Sequence, residues 1–194
     1  MKDPLAALLA EIRGCAVCAA HLALGPRPIV QIAAGARLVI IGQAPGAKVH
    51  ASGVPWQDDS GERLREWTGL SAASFYDAEQ VALLPMGFCY PGAAQGADLP
   101  PRPECAPLWH ARALAAMPQC RLTLLVGLHA QRRYLDAPRA LTLTQAVRAF
   151  RDAPPGCFPL PHPSWRSTGW MRRNPWFAAE VLPALRAAVG AALG

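Results

Sequence analysis

The stretch that decides the fold runs from Leu38 to Gly61 and reads LVIIGQAPGAKVHASGVPWQDDSG. Its first four residues form an apolar, mainly β-branched run that ends at Gly42, a pattern typical of a buried parallel strand. A loop rich in glycine and proline follows, and in open α/β sheets ligands bind where such loops leave the carboxyl ends of strands. The loop side chains that carry chemistry are Gln43, His50, Trp56, Asp58 and Asp59. An amide, an imidazole, an indole and two carboxylates suit a site for a flat polar heterocycle.

Strand-like runs alternate with helical patterns along the rest of the chain. Further strands are predicted at Val81–Leu84, Leu122–Val126 and Cys157–Leu160. Helices are predicted at Pro4–Arg13 after Asp3, at Gly61–Gly69 with Ser60 as N-cap, at 104–117, 128–135 and 144–151, and from Asn174 onward with a kink at Pro183. The alternation predicts a parallel sheet of about four strands with helices on both faces. The segment Gly92–Pro103, rich in glycine and proline, is predicted to be loop.

Length and composition place the chain among globular proteins. With 194 residues and 52% hydrophobic content it is long enough for one sizeable core, so we expect a single domain over residues 1–194. No uncharged apolar run approaches the roughly 18 residues of a membrane span. The start of the chain lacks the basic-then-apolar form of a secretory signal. We therefore expect a cytoplasmic monomer with no membrane partner.

The charge balance permits a polyanionic partner. The net charge is +6, and Lys2 and Lys48 are the only lysines among 19 basic residues. A basic protein of this kind can bind nucleic acid, although charge alone does not prove it. Genomic base composition is the alternative explanation, because alanine, arginine, proline and glycine are all abundant.

Six cysteines stand in a chain expected in a reducing compartment, where thiols or metal ligands are more common than disulfides. Cys15 and Cys18 form a C-x-x-C pair just after the first predicted helix, and such a turn places two thiolates on one metal or cluster edge. A redox pair or two buried cysteines is the alternative. Cys120 and Cys157 lie at predicted strands and are better explained as small buried hydrophobic residues.

Several motifs stand in the order found in one known family. They are GQAPG at Gly42–Gly46, GVPW at Gly53–Trp56, the pair Ser60-Gly61, and His162-Pro163-Ser164 followed by Arg173-Asn174-Pro175. This order resembles the uracil-DNA glycosylase superfamily, and most closely its iron–sulfur branch, whose first motif is GEAPG followed by an acidic stretch and G-x-P-F. The resemblance spans most of the chain, and the ordered combination is more specific than GQAPG alone.

The resemblance implies a three-layer α/β/α fold and a cofactor. In the iron–sulfur branch a C-x-x-C pair joins two later cysteines that flank a proline-rich loop. The matching ligands here are Cys15, Cys18, Cys89 and Cys105. Four thiolates suit a [4Fe–4S] cluster or tetrahedral zinc, and the resemblance favours the cluster. The group would be structural, because metal binding free energy contributes to folding.

The resemblance also implies roles in the reaction. Trp56 takes the position of the family's stacking phenylalanine. Gln43, with the backbone of Gly42 and Ala44, would contact the base edge and the sugar. His162 would donate to the uracil carbonyl oxygen as negative charge develops there.

Residues after His162 are the predicted DNA contacts. Ser164 and nearby amides would grip a phosphate, and either Trp165 or Arg166 would fill the stack that the flipped base leaves. Arg172 and Arg173 extend this predicted basic face.

Two departures from the family pattern matter. The family's catalytic carboxylate aligns with His50. The water is then positioned by His50, by Asp58 or Asp59 from further along the loop, or by the backbone. The family's base-reading asparagine has no counterpart in residues 85–88. Base selectivity is then relaxed or supplied elsewhere, for example by backbone groups of Met86, Gly87 and Phe88.

The leading prediction is a monofunctional DNA glycosylase that hydrolyses the N-glycosidic bond of uracil, and of other deaminated bases, in base excision repair. Strand cleavage through a Schiff base needs an amine nucleophile, and Lys48 is the only lysine near the motifs. The alternative is a non-hydrolytic binder of uracil-containing or damaged DNA with the same fold. A nucleotide-binding protein with an incidental basic face is a third possibility.

Overall fold

The structure is a computed structural model that describes residues 4–135 and 141–194. Its described strands, in chain order, are β1 (Leu38–Ile41), β2 (Val81–Leu83), β3 (Ala93–Ala94), β4 (Ala97–Asp98), β5 (Leu122–Val126) and β6 (Cys157–Leu160). Four of them form a parallel sheet in the order β2-β1-β5-β6, and β3 and β4 form a separate antiparallel hairpin.

Helices cover both faces of the sheet. They are α1 (Pro4–Arg13), α2 (Ala47–Ser52), α3 (Asp59–Thr68), α4 (Ala72–Phe75), α5 (Cys105–Ala115), α6 (Leu128–Tyr134), α7 (Leu143–Arg148), α8 (Ser167–Arg173) and α9 (Leu182–Leu193), with short 3-10 turns at Ala19–His21 and Phe150–Asp152.

Alternating strand side chains build two hydrophobic layers. Leu38 and Ile40 of β1 pack on one face with residues of α3 and α9, whereas Val39 and Ile41 pack on the other with residues of α1 and α5. All four side chains of β1 are fully buried, as expected for a strand covered on both faces. The predicted three-layer α/β/α arrangement around a four-stranded parallel sheet is confirmed.

Local signals explain where the elements differ from the sequence prediction. Helix α3 begins at Asp59, two residues before the predicted start, because the side chain of Asp58 accepts a hydrogen bond from the Gly61 amide and serves as the N-cap in place of Ser60. The hairpin of β3 and β4 lies in a segment predicted as loop. Asp3, the predicted cap of α1, lies outside the described residues.

The C-terminal region differs in the same way. The predicted helix from Asn174 with a kink at Pro183 is a π-helical turn, Phe177–Val181, that runs into α9. Pro183 is the second residue of α9, directly after the π-helical turn, and it removes one backbone donor from this helical run. The chain therefore changes helical form before the proline.

Within residues 4–135 and 141–194 no single helix is long and apolar enough to cross a membrane, and the bent pair Arg166–Arg173 and Phe177–Leu193 reaches that length and composition only when both helices are taken together.

Candidate active site

A cavity lies where the sheet topology reverses. From β1 the chain crosses to β2 on one side, and from β5 it crosses to β6 on the other, so the strand order switches between β1 and β5. Open α/β sheets bind ligands at the carboxyl ends of the strands at such a point. The cavity there measures about 430 Å³. We call it the switch-point cavity.

The lining comes from the segment before β1, from the segments after β1, β2 and β6, and from the hairpin. The lining residues are Ile29, Gly42, Gln43, Ala44, Pro45, Gly46, Val49, Pro55, Trp56, Asp58, Ser60, Pro85, Gly96, Ala97, Asp98, Leu99, His162, Ser164, Trp165 and Arg166. The structure thus brings His162 and the predicted DNA contacts Ser164 to Arg166, from late in the chain, to Gln43 and Trp56 of the first motif stretch.

Trp56 is held in an unusual backbone conformation at the cavity wall. Its φ is +57°, in the left-handed region that costs a non-glycine residue roughly 1–2 kcal/mol. Two glycines make room for it, since a Cβ on Gly42 would lie 2.5 Å from Cζ2 of the indole and one on Gly61 would strike the Trp56 carbonyl. The Tyr76 hydroxyl donates to that carbonyl at 3.2 Å. Strain of this kind is typical of functional sites.

His162 stands just after β6, beside Trp56. The two ring centroids are 5.8 Å apart and the ring planes are inclined by 27°. Burial lowers the pKa of His162, against the opposing charges of Asp58 and Asp98. The imidazole is therefore neutral at neutral pH, with one ring N–H to donate and one ring nitrogen to accept.

The loop after His162 is braced from α3. Arg63 donates to the Ser164 carbonyl at 2.6 Å and to the Ser167 hydroxyl at 3.1 Å. The Ser167 hydroxyl donates in turn to the Ser164 carbonyl at 2.7 Å. Beyond this brace Trp165 is 76% exposed, and the guanidinium carbon of Arg166 lies 5.3 Å from the centroid of its indole. A large exposed ring therefore stands at the rim of the cavity.

Arg172 and Arg173 lie further along the chain. Both are exposed in the last turn of α8 and stand outside the described lining of the switch-point cavity.

The structure does not bring Met86, Gly87 and Phe88 to the switch-point cavity, where the sequence predicted them to read the base. The Met86 amide donates to the Gly42 carbonyl, the Gly87 amide to the Gln43 carbonyl, and the Phe88 amide to Sγ of Cys105. These three donors are already engaged, and from this loop Pro85 lines the cavity.

His50 and Asp59 also stand apart from the described lining. The His50 ring lies 5.9 Å from the Tyr90 ring, and its Nδ1 is buried with no hydrogen-bond partner among the described residues. Its carbonyl accepts from Arg27. Asp59 is an exposed ion-pair partner of Lys48 at 2.9 Å. Asp58 does line the cavity, with one carboxylate oxygen capping α3.

The hairpin residues Gly96 to Leu99 were missed by sequence reasoning. They form part of the cavity wall, and Asp98 adds a carboxylate to it. Asp98 stands in a glycine- and proline-rich segment with no motif around it, so the only available signal was its position between Cys89 and Cys105.

The four predicted cysteine ligands line a second, smaller cavity. Cys15, Cys18, Cys89 and Cys105 all border it, and neither Cys120 nor Cys157 is among its described lining residues. Burial raises the pKa of the Cys105 thiol to about 12. We call this space the cysteine cavity.

Trp109 also borders the cysteine cavity, and its Nε1 is buried with no hydrogen-bond partner among the described residues. Over residues 4–135 and 141–194 no group of three or more His, Cys, Asp or Glu side chains is arranged to hold one metal ion.

The fold and the cavity define a class: an α/β protein with a ligand site at the switch point of its sheet. The site combines the constrained ring of Trp56, the neutral His162 and a rim formed by the exposed Trp165 and Arg166. A comparison with protein families gives the particular assignment, because the family model of the uracil DNA glycosylase superfamily matches residues 29–186. The chain belongs to this superfamily. Membership supports a uracil-DNA glycosylase-like function in general, with DNA as the partner.

Proposed function

We propose that this protein is a monofunctional DNA glycosylase that hydrolyses the N-glycosidic bond of uracil, and of other deaminated bases, in base excision repair. The observation that carries the proposal is the meeting of Trp56 and His162 at one cavity beside the exposed Trp165. This arrangement offers a stacking face, a donor for the leaving base and a rim for DNA.

The proposed reaction begins with the target base leaving the DNA stack and entering the cavity. Trp56 supports the face of the base, and Gln43 with the backbone of Gly42 and Ala44 contacts its edge and the sugar. The neutral His162 donates its ring N–H to the base oxygen. A donor placed where charge develops stabilises the transition state more than the ground state.

The DNA is held on the rim. Ser164 is fixed by Arg63, so its hydroxyl and the adjacent amides can meet a phosphate in a defined position. Trp165 is the better wedge for the vacated stack, because 76% of it is exposed while Arg166 lies against its ring. Arg166, Arg172 and Arg173 contact phosphates.

The backbone amides of residues 86–88 already donate within the protein, so they are not free to read the edge of a base. This supports a proposal that the protein accepts several bases. The matching loop also carries no side-chain amide to read one base edge. Discrimination by hydrogen bonds needs donors or acceptors that the wrong base leaves unpaired. We therefore expect uracil and related deaminated bases to be removed with modest selectivity.

A [4Fe–4S] cluster is the proposed occupant of the cysteine cavity. Four thiols border it, and the unpartnered Nε1 of Trp109 fits a space that receives a hydrogen-bond acceptor. Four thiolates also suit tetrahedral zinc, and the resemblance to the iron–sulfur branch favours the cluster. The cluster would join the segment after α1 to the loop before α5, with a structural role.

Iron and sulfide analysis of anaerobically prepared protein tests the cofactor. We expect brown protein with a broad absorbance near ~400 nm, and loss of iron in Cys15→Ala. Cys120→Ala is the matched control, since Cys120 is not among the described residues of the cysteine cavity, and it should retain iron. Protein without iron, or Cys120→Ala losing iron like Cys15→Ala, would contradict the proposed site.

A uracil-containing oligonucleotide tests the activity. Incubation should produce an alkali-labile site and no strand break before alkali. The non-hydrolytic binder is the second candidate, because the loop between Gly42 and Trp56 carries no carboxylate. Retarded DNA with no alkali-labile site would favour that candidate and overturn the proposed activity.

A further inference from the structure

The segment from Gly42 to Trp56 has no carboxylate, but other segments bring carboxylates to the wall of the switch-point cavity. Hydrolysis of an N-glycosidic bond creates positive charge on the sugar and needs an oriented water. Over residues 4–135 and 141–194, the carboxylates that line the cavity are Asp58 and Asp98. The choice between them rests on their contacts.

Both carboxylates approach one glycine of the loop after β1. A Cβ on Gly46 would lie 3.4 Å from Oδ2 of Asp98 and 3.9 Å from Oδ2 of Asp58. Both charges also act on His162, the proposed donor to the leaving base. The two side chains therefore face the same part of the cavity.

Asp58 is committed to the fold. Its Oδ1 accepts the Gly61 amide at 2.8 Å and caps α3. Any movement of Asp58 toward a substrate would give up that cap, which stabilises the first turn of the helix.

The backbone of Asp98 is fixed by the hairpin, whereas its carboxylate caps none of the described helices. Its backbone pairs with Ala93 across the hairpin, and the Leu99 amide donates to the Gly92 carbonyl at 2.9 Å. Burial, and after it the nearby charge of Asp98, raises the pKa of Tyr90, so the Asp98 carboxylate lies close to that phenol, and a carboxylate has acceptor sites on both oxygens. The side chain is exposed to the cavity and to solvent, so water reaches it.

We propose that Asp98, delivered by the hairpin between Cys89 and Cys105, is the carboxylate that orients the attacking water and stabilises the sugar cation. The inference rests on the proposed glycosylase function. The water oxygen forms a bond to C1′, and the bond from C1′ to the base nitrogen breaks with its electron pair leaving on the base. Asp98 takes one water proton and passes it to solvent, and the base anion takes a proton from solvent.

Two isosteric variants separate the carboxylates. Single-turnover cleavage of uracil DNA by Asp98→Asn should be about 10²-fold slower or more, the usual contribution of a positioned acid or base. Asp58→Asn should slow cleavage much less than Asp98→Asn does, because asparagine caps a helix as well as aspartate and keeps the fold of this wall of the cavity. Formate should partly restore cleavage by Asp98→Ala. Melting temperature and affinity for uracil DNA, measured on each variant, report any loss of fold.

Each outcome has a consequence. Wild-type cleavage by Asp98→Asn would overturn the assignment and leave the glycosylase function standing. A large loss in Asp58→Asn with none in Asp98→Asn would give the role to Asp58. An Asp98→Ala variant that melts like wild type and is not rescued by formate would also contradict the assignment. A wild-type protein that never releases base would overturn the proposed function, and this role with it.

Discussion

At the residue scale, His162 is the side chain on which the proposed bond cleavage depends most. Replacing it with alanine removes the proposed donor to the leaving base, and such a donor matters most when negative charge has built up there, so the single-turnover rate should fall by about 10²-fold or more while DNA affinity changes little. His50→Ala is the matched variant, since His50 lies outside the described lining of the cavity. Equal losses of single-turnover rate in the two variants would contradict a specific role of His162 in the chemical step.

The protonation state of His162 gives a second residue-scale prediction. Because burial lowers its pKa, the imidazole stays neutral as the pH falls to the ordinary histidine value of about 6.5. The single-turnover rate of the wild-type protein should therefore be flat between pH 8 and about 6.5. A rate that halves near pH 6.5 and is flat in His162→Ala would show that His162 titrates like a free imidazole.

Gly42 gives the third residue-scale prediction. A Cβ there would lie 2.5 Å from the Trp56 ring, so Gly42→Ala should displace the indole, lower cleavage and cost about 1–3 kcal/mol of unfolding free energy. Gly190→Ala in α9 is the control, because nothing lies within 4 Å of a Cβ at that position. Chemical denaturation of both variants checks this, and an unaffected Gly42→Ala would mean that the indole is not fixed by this contact.

At the element scale His110 ties α5 to the loop after β2. Its Nε2–H donates to the Pro85 carbonyl at 2.9 Å, and its Nδ1 accepts from the Tyr134 hydroxyl at 2.6 Å. The ring is also stacked on Phe88, with centroids 5.7 Å apart. The network holds the loop that joins the switch-point cavity to the cysteine cavity.

Burial lowers the pKa of His110 to about 4. Between that value and the unfolded value of about 6.5, the unfolded chain binds a proton that the folded chain excludes, so stability rises with pH in this window. Wild type should lose up to about 3 kcal/mol on acidification across it, and His110→Gln should lose less. Denaturant unfolding between pH 4 and 7 measures the difference. Parallel curves would contradict the burial of a neutral imidazole.

The sequence predicted best those strands whose bounds are set by burial of a continuous apolar run. The apolar runs of β1, β5 and β6 were bounded correctly because both faces of each strand are buried. The β3–β4 hairpin and α8 were not predicted, because neither has an apolar period. Asp98 was missed for the same reason, since only the folded hairpin brings it to the cavity.

At the scale of the whole molecule the basic rim should govern DNA affinity. Charge reversal at Arg166, Arg172 or Arg173 should reduce the slope of log affinity against log salt by about one each, because each phosphate contact releases a counterion. Arg121→Glu is the control, since Arg121 precedes β5 at the opposite edge of the sheet. If all three slopes match wild type, the DNA face lies elsewhere.

The proposed function requires that the protein hydrolyse the N-glycosidic bond of a uracil bound in the switch-point cavity. The most direct measurement is the free base released from a uracil-containing oligonucleotide by excess protein, quantified by mass spectrometry. We expect one free uracil for each uracil in the DNA and an intact strand with an abasic site, and we expect both products to be nearly abolished in His162→Ala. Tight binding of the same DNA with no free uracil would contradict it.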